Sequence, residues 1–273
     1  MTIPVSPVPR ASQPLFNVPA VVLGLMALMG LVHLARDWLS EEADFQLLAD
    51  FAFVPARITS FFDPAAVTNA LTAIAGGGPS GAEDAQVYQF LMGQGQLRPW
   101  TLLSYSFLHA DLTHLGLNCF WLLAFGSAVA RRFGGLRFAL FFAATAIAGA
   151  LAHWLAHPLG FAPVIGASAA VSGAMAGAAR FAFQPGGPLQ GFGRGRDASV
   201  FQLPALRLFQ VFTDRRVLPF VGIWFIINIV TGIGAVPLGL SDSSIAWEAH
   251  IGGFIAGLAL FDLFDPYSRK IAA

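Results

Sequence analysis

Residues 108–130 read LHADLTHLGLNCFWLLAFGSAVA, and they place polar groups inside an apolar run long enough to cross a bilayer. His109, His114 and Asn118 stand there among Leu, Phe, Trp and Ala. Two further apolar stretches are interrupted in the same way. Gly166-Ala167-Ser168 follows Pro163, and His250 precedes Gly253 and Gly257. Ionisable groups within a span are costly in hydrocarbon, so each such cluster marks a candidate functional site.

Composition fixes the class. The chain has 273 residues, 56% hydrophobic and 11% charged, with a mean hydropathy of +0.67. Soluble domains carry about a quarter charged residues, so the chain reads as an integral membrane protein. A formal net charge of zero argues against a nucleic-acid partner. Cys119 has no second cysteine to pair with and reads as a small packing residue.

At about 20 apolar residues per span, the sequence predicts an all-α bundle of six transmembrane helices. They fall at about 18–36, 112–130, 136–156, 164–183, 217–237 and 246–265. Residues 1–17 read as an N-terminal tail, 18–265 as the membrane domain and 266–273 as a C-terminal tail. Within the domain, 37–111 form a long outside loop, with Phe45 to Phe62 expected in the membrane interface, and 184–216 a cytoplasmic linker. Basic residues set the orientation. Arg10, Arg131, Arg132, Arg137, Arg180, Arg194, Arg196, Arg207, Arg215, Arg216, Arg269 and Lys270 fall on one side, against Arg36, Arg57 and Arg98 on the other. Both termini are therefore expected in the cytoplasm, and a bacterial inner membrane is the expected location.

In that topology the second, fourth and sixth helices run in one direction, and His114, Ser168 and His250 share one depth, about 5–10 Å inside their outer ends. A serine hydroxyl needs a base, and histidine is the usual one. Ser168 and His250 are thus a candidate nucleophile–base dyad. Gly253 and Gly257 share a face with His250 and would let two helices approach closely. His114 and Asn118, one turn apart, and the Ser168 backbone N–H are candidate donors to an oxyanion. His109, Asp111 and Thr113 give a polar approach for water.

Simpler readings stand beside these. A serine in a Gly/Ala-rich span is ordinarily a packing residue. Ser172-Gly173, one turn deeper, offers a rival nucleophile. His33 reads as interfacial. His153 and His157 have metal-ligand spacing without an evident carboxylate partner, and Glu248 reads as facing away from His250. No metal or cofactor is expected.

The set of motifs, from Arg98 to Gly257, resembles the rhomboid family of intramembrane serine proteases. The match is carried by His109-(four)-His114-(three)-Asn118, Gly166-x-Ser168, and Ala249-His250 with Gly253 and Gly257. The resemblance implies a six-helix bundle, with Ser168 as nucleophile, His250 as base, and His114, Asn118 and the Ser168 amide as the oxyanion hole. It also implies substrates that are transmembrane proteins reaching the site from the lipid bilayer, between the second and fifth helices. Three positions depart from the family pattern. Ala169 replaces the usual Gly after the nucleophile and would add a methyl near the oxyanion. Ala130 replaces a common Glu. Arg98-Pro99-Trp100 replaces a Trp-Arg pair. The expected activity is hydrolysis of a peptide bond in or near a transmembrane helix. The alternatives are a catalytically silent relative that binds or escorts membrane helices, and a small transporter or channel.

Overall fold

The computed structural model describes residues 18–189, 198–233 and 246–267. The expected tail 1–17 and residues 268–273 of the expected C-terminal tail 266–273, with Arg10, Arg269 and Lys270, lie outside the described residues, as do Arg194 and Arg196 of the linker.

Helices α1 (Ala20–Asp37), α2 (Glu41–Phe51), α3 (Pro55–Phe62), α4 (Pro64–Ala75), α5 (Pro79–Met92) and the one-turn α6 (Thr101–Ser104) precede the site. α7 (Leu112–Trp121) runs through a π turn, Leu122–Gly126, into α8 (Ser127–Phe133). α9 (Gly135–Ala156), α10 (Ser168–Ala179), α11 (Leu218–Ile233) and α12 (Trp247–Phe264) complete the order. Among the described residues, four helices are long and apolar enough to cross a membrane: α1, the continuous Leu112–Phe133 rod, α9 and α12.

The fourth expected helix is corrected. It begins at Ser168 and not near Pro163, and it ends at Ala179. Twelve residues span about 18 Å, well short of a bilayer core of about 30 Å. Every residue from Ala169 to Ala179 is buried in protein. Irregular backbone at membrane depth is tolerated when protein surrounds it, so α10 needs no full-length helix.

The expected interfacial segment is also revised. Phe61 and Phe62 are exposed, but Phe53, Val54, Ala56 and Arg57 turn inward. Arg57 caps the carbonyls of Ala49, Ala52 and Leu91, and burial lowers its pKa to about 10. Arg98 pairs with Asp50 at 2.6 Å, and the Trp100 indole donates to the Asp50 carbonyl at 2.8 Å. The altered Arg98–Trp100 stretch thus docks on the end of α2. α2 itself is capped by Ser40 and carries Glu41, Glu42 and Asp44 in its first turn, where the helix dipole favours acidic groups.

At the opposite end, Arg132 forms a bidentate, fully buried pair with Asp265 at 3.0 and 2.8 Å. Arg132 also donates to the carbonyls of Phe201 and Leu203, and its guanidinium lies 4.7 Å from the Phe181 ring centre. This anchor holds the end of α8 near Ala130.

Candidate active site

α12 packs into α9 and α10 because small residues line all three. A Cβ added at Gly253 would collide with the Ala169 carbonyl, and one at Gly257 would lie 2.5 Å from the Gly173 carbonyl. One added at Gly149 would lie 2.5 Å from the Ala169 Cβ and 2.7 Å from the Ala249 carbonyl. Gly253 and Gly257 therefore let α12 approach the backbone of α10 closely. The Ala169 methyl lies against Gly149, where a Cβ added to that glycine would be 2.5 Å from it.

Ser168 is the first residue of α10, directly after a turn in which Gly166 has φ +114°. The turn is pinned. Phe53 and Val164 exchange two backbone hydrogen bonds of 3.1 and 2.7 Å, and the Gly166 N–H donates to the Tyr105 carbonyl at 2.9 Å. Tyr105 is buried, and its hydroxyl donates to the Ala146 carbonyl of α9 at 2.9 Å. Because Ser168 opens the helix, its own N–H is one of the orphan donors at a helix N-terminus.

Ser168 Oγ lies 2.7 Å from His250 Nε2. On the far side of the same ring, His250 Nδ1 lies 2.6 Å from Asn228 Oδ1 on α11. Asn228 Nδ2 donates to the Trp224 carbonyl at 2.8 Å, which fixes the amide with its oxygen toward His250. An oxygen there requires the proton on Nδ1. Nε2 is then a lone pair facing the serine hydroxyl. Trp224 stacks on Phe254 with ring centres 4.2 Å apart, joining α11 to α12. Asn228 was not among the expected site residues. Its signal was a single carboxamide within the strongly apolar run Ile223 to Val230.

His114 is held at the start of α7, where its N–H donates to the Asp111 N-cap at 2.8 Å. The Ala110 N–H approaches His114 Nδ1 at 3.4 Å. That contact assigns the ring proton to Nε2, which sits so close to Gly166 that an added Cβ there would be 2.6 Å away. The His114 ring thus presents a donor to the turn carrying Ser168. Asn118 is buried, and one of its amide protons goes to the His114 carbonyl at 3.0 Å, leaving the second.

His109 departs from expectation. It is fully buried, whereas its neighbours Asp111 and Thr113 are exposed. The Ala167 N–H donates to its Nε2 at 3.4 Å, and its carbonyl accepts from Arg36 at 2.7 Å. Burial, with a smaller push from His114, lowers its pKa to about 4, so it is a neutral acceptor. Its role in the structure is to brace the Gly166–Ser168 turn against α7. His33, expected at the interface, is buried as well. Glu248 does face away from His250, but its partners are His153 and His157, so those two histidines do have a carboxylate.

The Rhomboid domain family model matches residues 96–264. The chain is also 29% identical over 167 residues to the "Rhomboid protease GluP" of Bacillus subtilis (strain 168). That match covers 61% of this chain and 26% of the relative, so the chain matches about a quarter of that protein's length.

Proposed function

The chain belongs to the rhomboid family, and from that premise we propose that it is an intramembrane serine endopeptidase acting on transmembrane proteins. The observation that carries this reading is the 2.7 Å approach of Ser168 Oγ to His250 Nε2. In the proposed reaction, His250 Nε2 takes the Ser168 proton as Oγ attacks the scissile carbonyl. The oxyanion is met by the Ser168 N–H, the free amide proton of Asn118 and His114 Nε2–H. Asn228 Oδ1 stabilises the imidazolium through Nδ1–H. His250 then protonates the leaving amine, and water, activated by the same base, releases the acyl group from Ser168. His109, Gly166, Gly253 and Gly257 serve by holding these groups in place. Ser172 is buried a turn deeper, and the hydrogen bond from His250 to Ser168 favours Ser168 as the nucleophile.

We further propose six spans, with α10 and α11 completing the four long ones, both termini cytoplasmic, and a bacterial inner membrane as the site of action. The gathering of Arg132 and Arg180 with Asp265 and Asp262 at one end of the bundle supports that orientation. A substrate helix must unwind for its carbonyl to reach Ser168, so segments with Gly or Pro, the poorest helix formers, near the outer face should be favoured.

The test is cleavage of a transmembrane reporter in proteoliposomes. Wild type should cut it, and Ser168→Ala and His250→Ala should not. Binding of the reporter helix without cleavage by wild type would instead favour a silent escort.

A further inference from the structure

We propose that His153, His157 and Glu248 form a divalent transition-metal site of the zinc type, tying the end of α9 to the first turn of α12. His153 Nδ1 lies 3.2 Å from Glu248 Oε2, and His157 Nε2 lies 2.9 Å from Glu248 Oε1. One candidate ligand atom from each residue falls within 4.8 Å of the others. Bonds of about 2.0–2.2 Å in a tetrahedral zinc site separate neighbouring ligand atoms by about 3.4 Å. The three groups therefore need only small rotations to share one ion.

The donor set chooses the class of metal. Two imidazoles and one carboxylate suit zinc, cobalt or nickel, whereas magnesium and calcium prefer all-oxygen ligands. His153 and His157 are one helical turn apart, and they aim opposite ring nitrogens, Nδ1 and Nε2, at the same carboxylate. A three-ligand site leaves a fourth position for water. Access is provided by His157, whose side chain is 50% exposed, while His153 and Glu248 are 13% and 17% exposed.

The site is distinct from the Ser168 centre. Glu248 faces α9, whereas His250, two residues on, faces α10 and α11. Metal would thus fix from behind the same turn of α12 that carries His250, with no part in bond breaking. Binding to the folded state raises thermal stability by mass action.

The experiment uses tag-free, full-length protein in detergent, stripped with chelator and titrated with Zn²⁺ against a chromophoric competitor. One equivalent should bind, and the melting temperature should rise. Co²⁺ should give the intense visible bands of four-coordinate geometry. His153→Ala/His157→Ala should weaken binding at least about a hundredfold, and Glu248→Gln about tenfold or more. His157→Cys, which keeps a zinc ligand, should retain binding and so exclude simple misfolding. His250→Ala and His33→Ala should bind as wild type does. Absence of tight binding, or binding that survives the double substitution, would overturn the proposal.

Discussion

Asn228 Oδ1 sits 2.6 Å from His250 Nδ1, on the opposite edge of the ring from Ser168. Asn228 therefore sets the tautomer and orientation of the proposed base. Asn228→Ala removes a hydrogen bond that strengthens as the imidazolium forms, worth about 1.5–3 kcal/mol, or roughly tenfold to a hundredfold in kcat. KM for a transmembrane reporter should change little. Asn228→Gln, with its longer reach, should not restore the rate. A KM effect with kcat intact would place Asn228 in substrate binding instead.

The notch between α12 and α10 is predicted to tolerate no added methyl. Gly253→Ala drives a Cβ into the Ala169 carbonyl, and Gly257→Ala drives one into Gly173. Overpacking of this kind costs about 1–3 kcal/mol. Both variants should melt earlier and lose cleavage, because any shift of α12 moves His250. Gly116→Ala is the control, since nothing lies within 4 Å of its added Cβ. Equal melting temperatures for all three would contradict the packing account.

The Arg132–Asp265 pair is buried on both sides. Removing one partner strands a buried charge, at a cost of about 3–5 kcal/mol. Asp265→Ala should thus be among the most destabilising single changes in the chain, visible in thermal unfolding. Arg132→Met combined with Asp265→Leu should recover much of the loss. A double variant no better than Asp265→Ala would show that the anchor cannot be replaced by apolar packing.

Asp111 caps α7 by accepting the His114 N–H, and this bond lowers its carboxyl pKa. A depressed folded-state value means that the cap contributes fully above the unfolded value of about 4 and is lost as pH falls below it. Asp111→Ala should cost about 1 kcal/mol at neutral pH, and this difference should shrink in acid. Asp111→Asn, which keeps a capping oxygen, should lose less and show no such pH dependence.

The polar motifs of α7, α10 and α12 were legible because each places chemistry where hydrocarbon makes it expensive. His114, Asn118, Ser168 and His250 stand out in the sequence that way, and Gly253 and Gly257 by their spacing beside His250. Asn228 was missed because a lone amide carries no spacing signal; only its tertiary partner gives it meaning. Glu248 was read correctly as facing away from His250, but its two histidine partners lie more than 90 residues back in sequence, beyond any local pattern. The start of α10 was misplaced because Pro163 is a good helix opener, whereas Gly166 at φ +114° delays the helix to Ser168. His109 looked like an entrance residue from its polar neighbours, yet tertiary packing buries it.

The most direct test of the central claim is the site of covalent labelling by a fluorophosphonate probe, mapped by peptide mass spectrometry on the detergent-solubilised protein. The account predicts one adduct, on Ser168, that is lost in Ser168→Ala and His250→Ala and retained in Ser172→Ala. An adduct on Ser172, or no labelling of a folded protein beside an active rhomboid control, would contradict it.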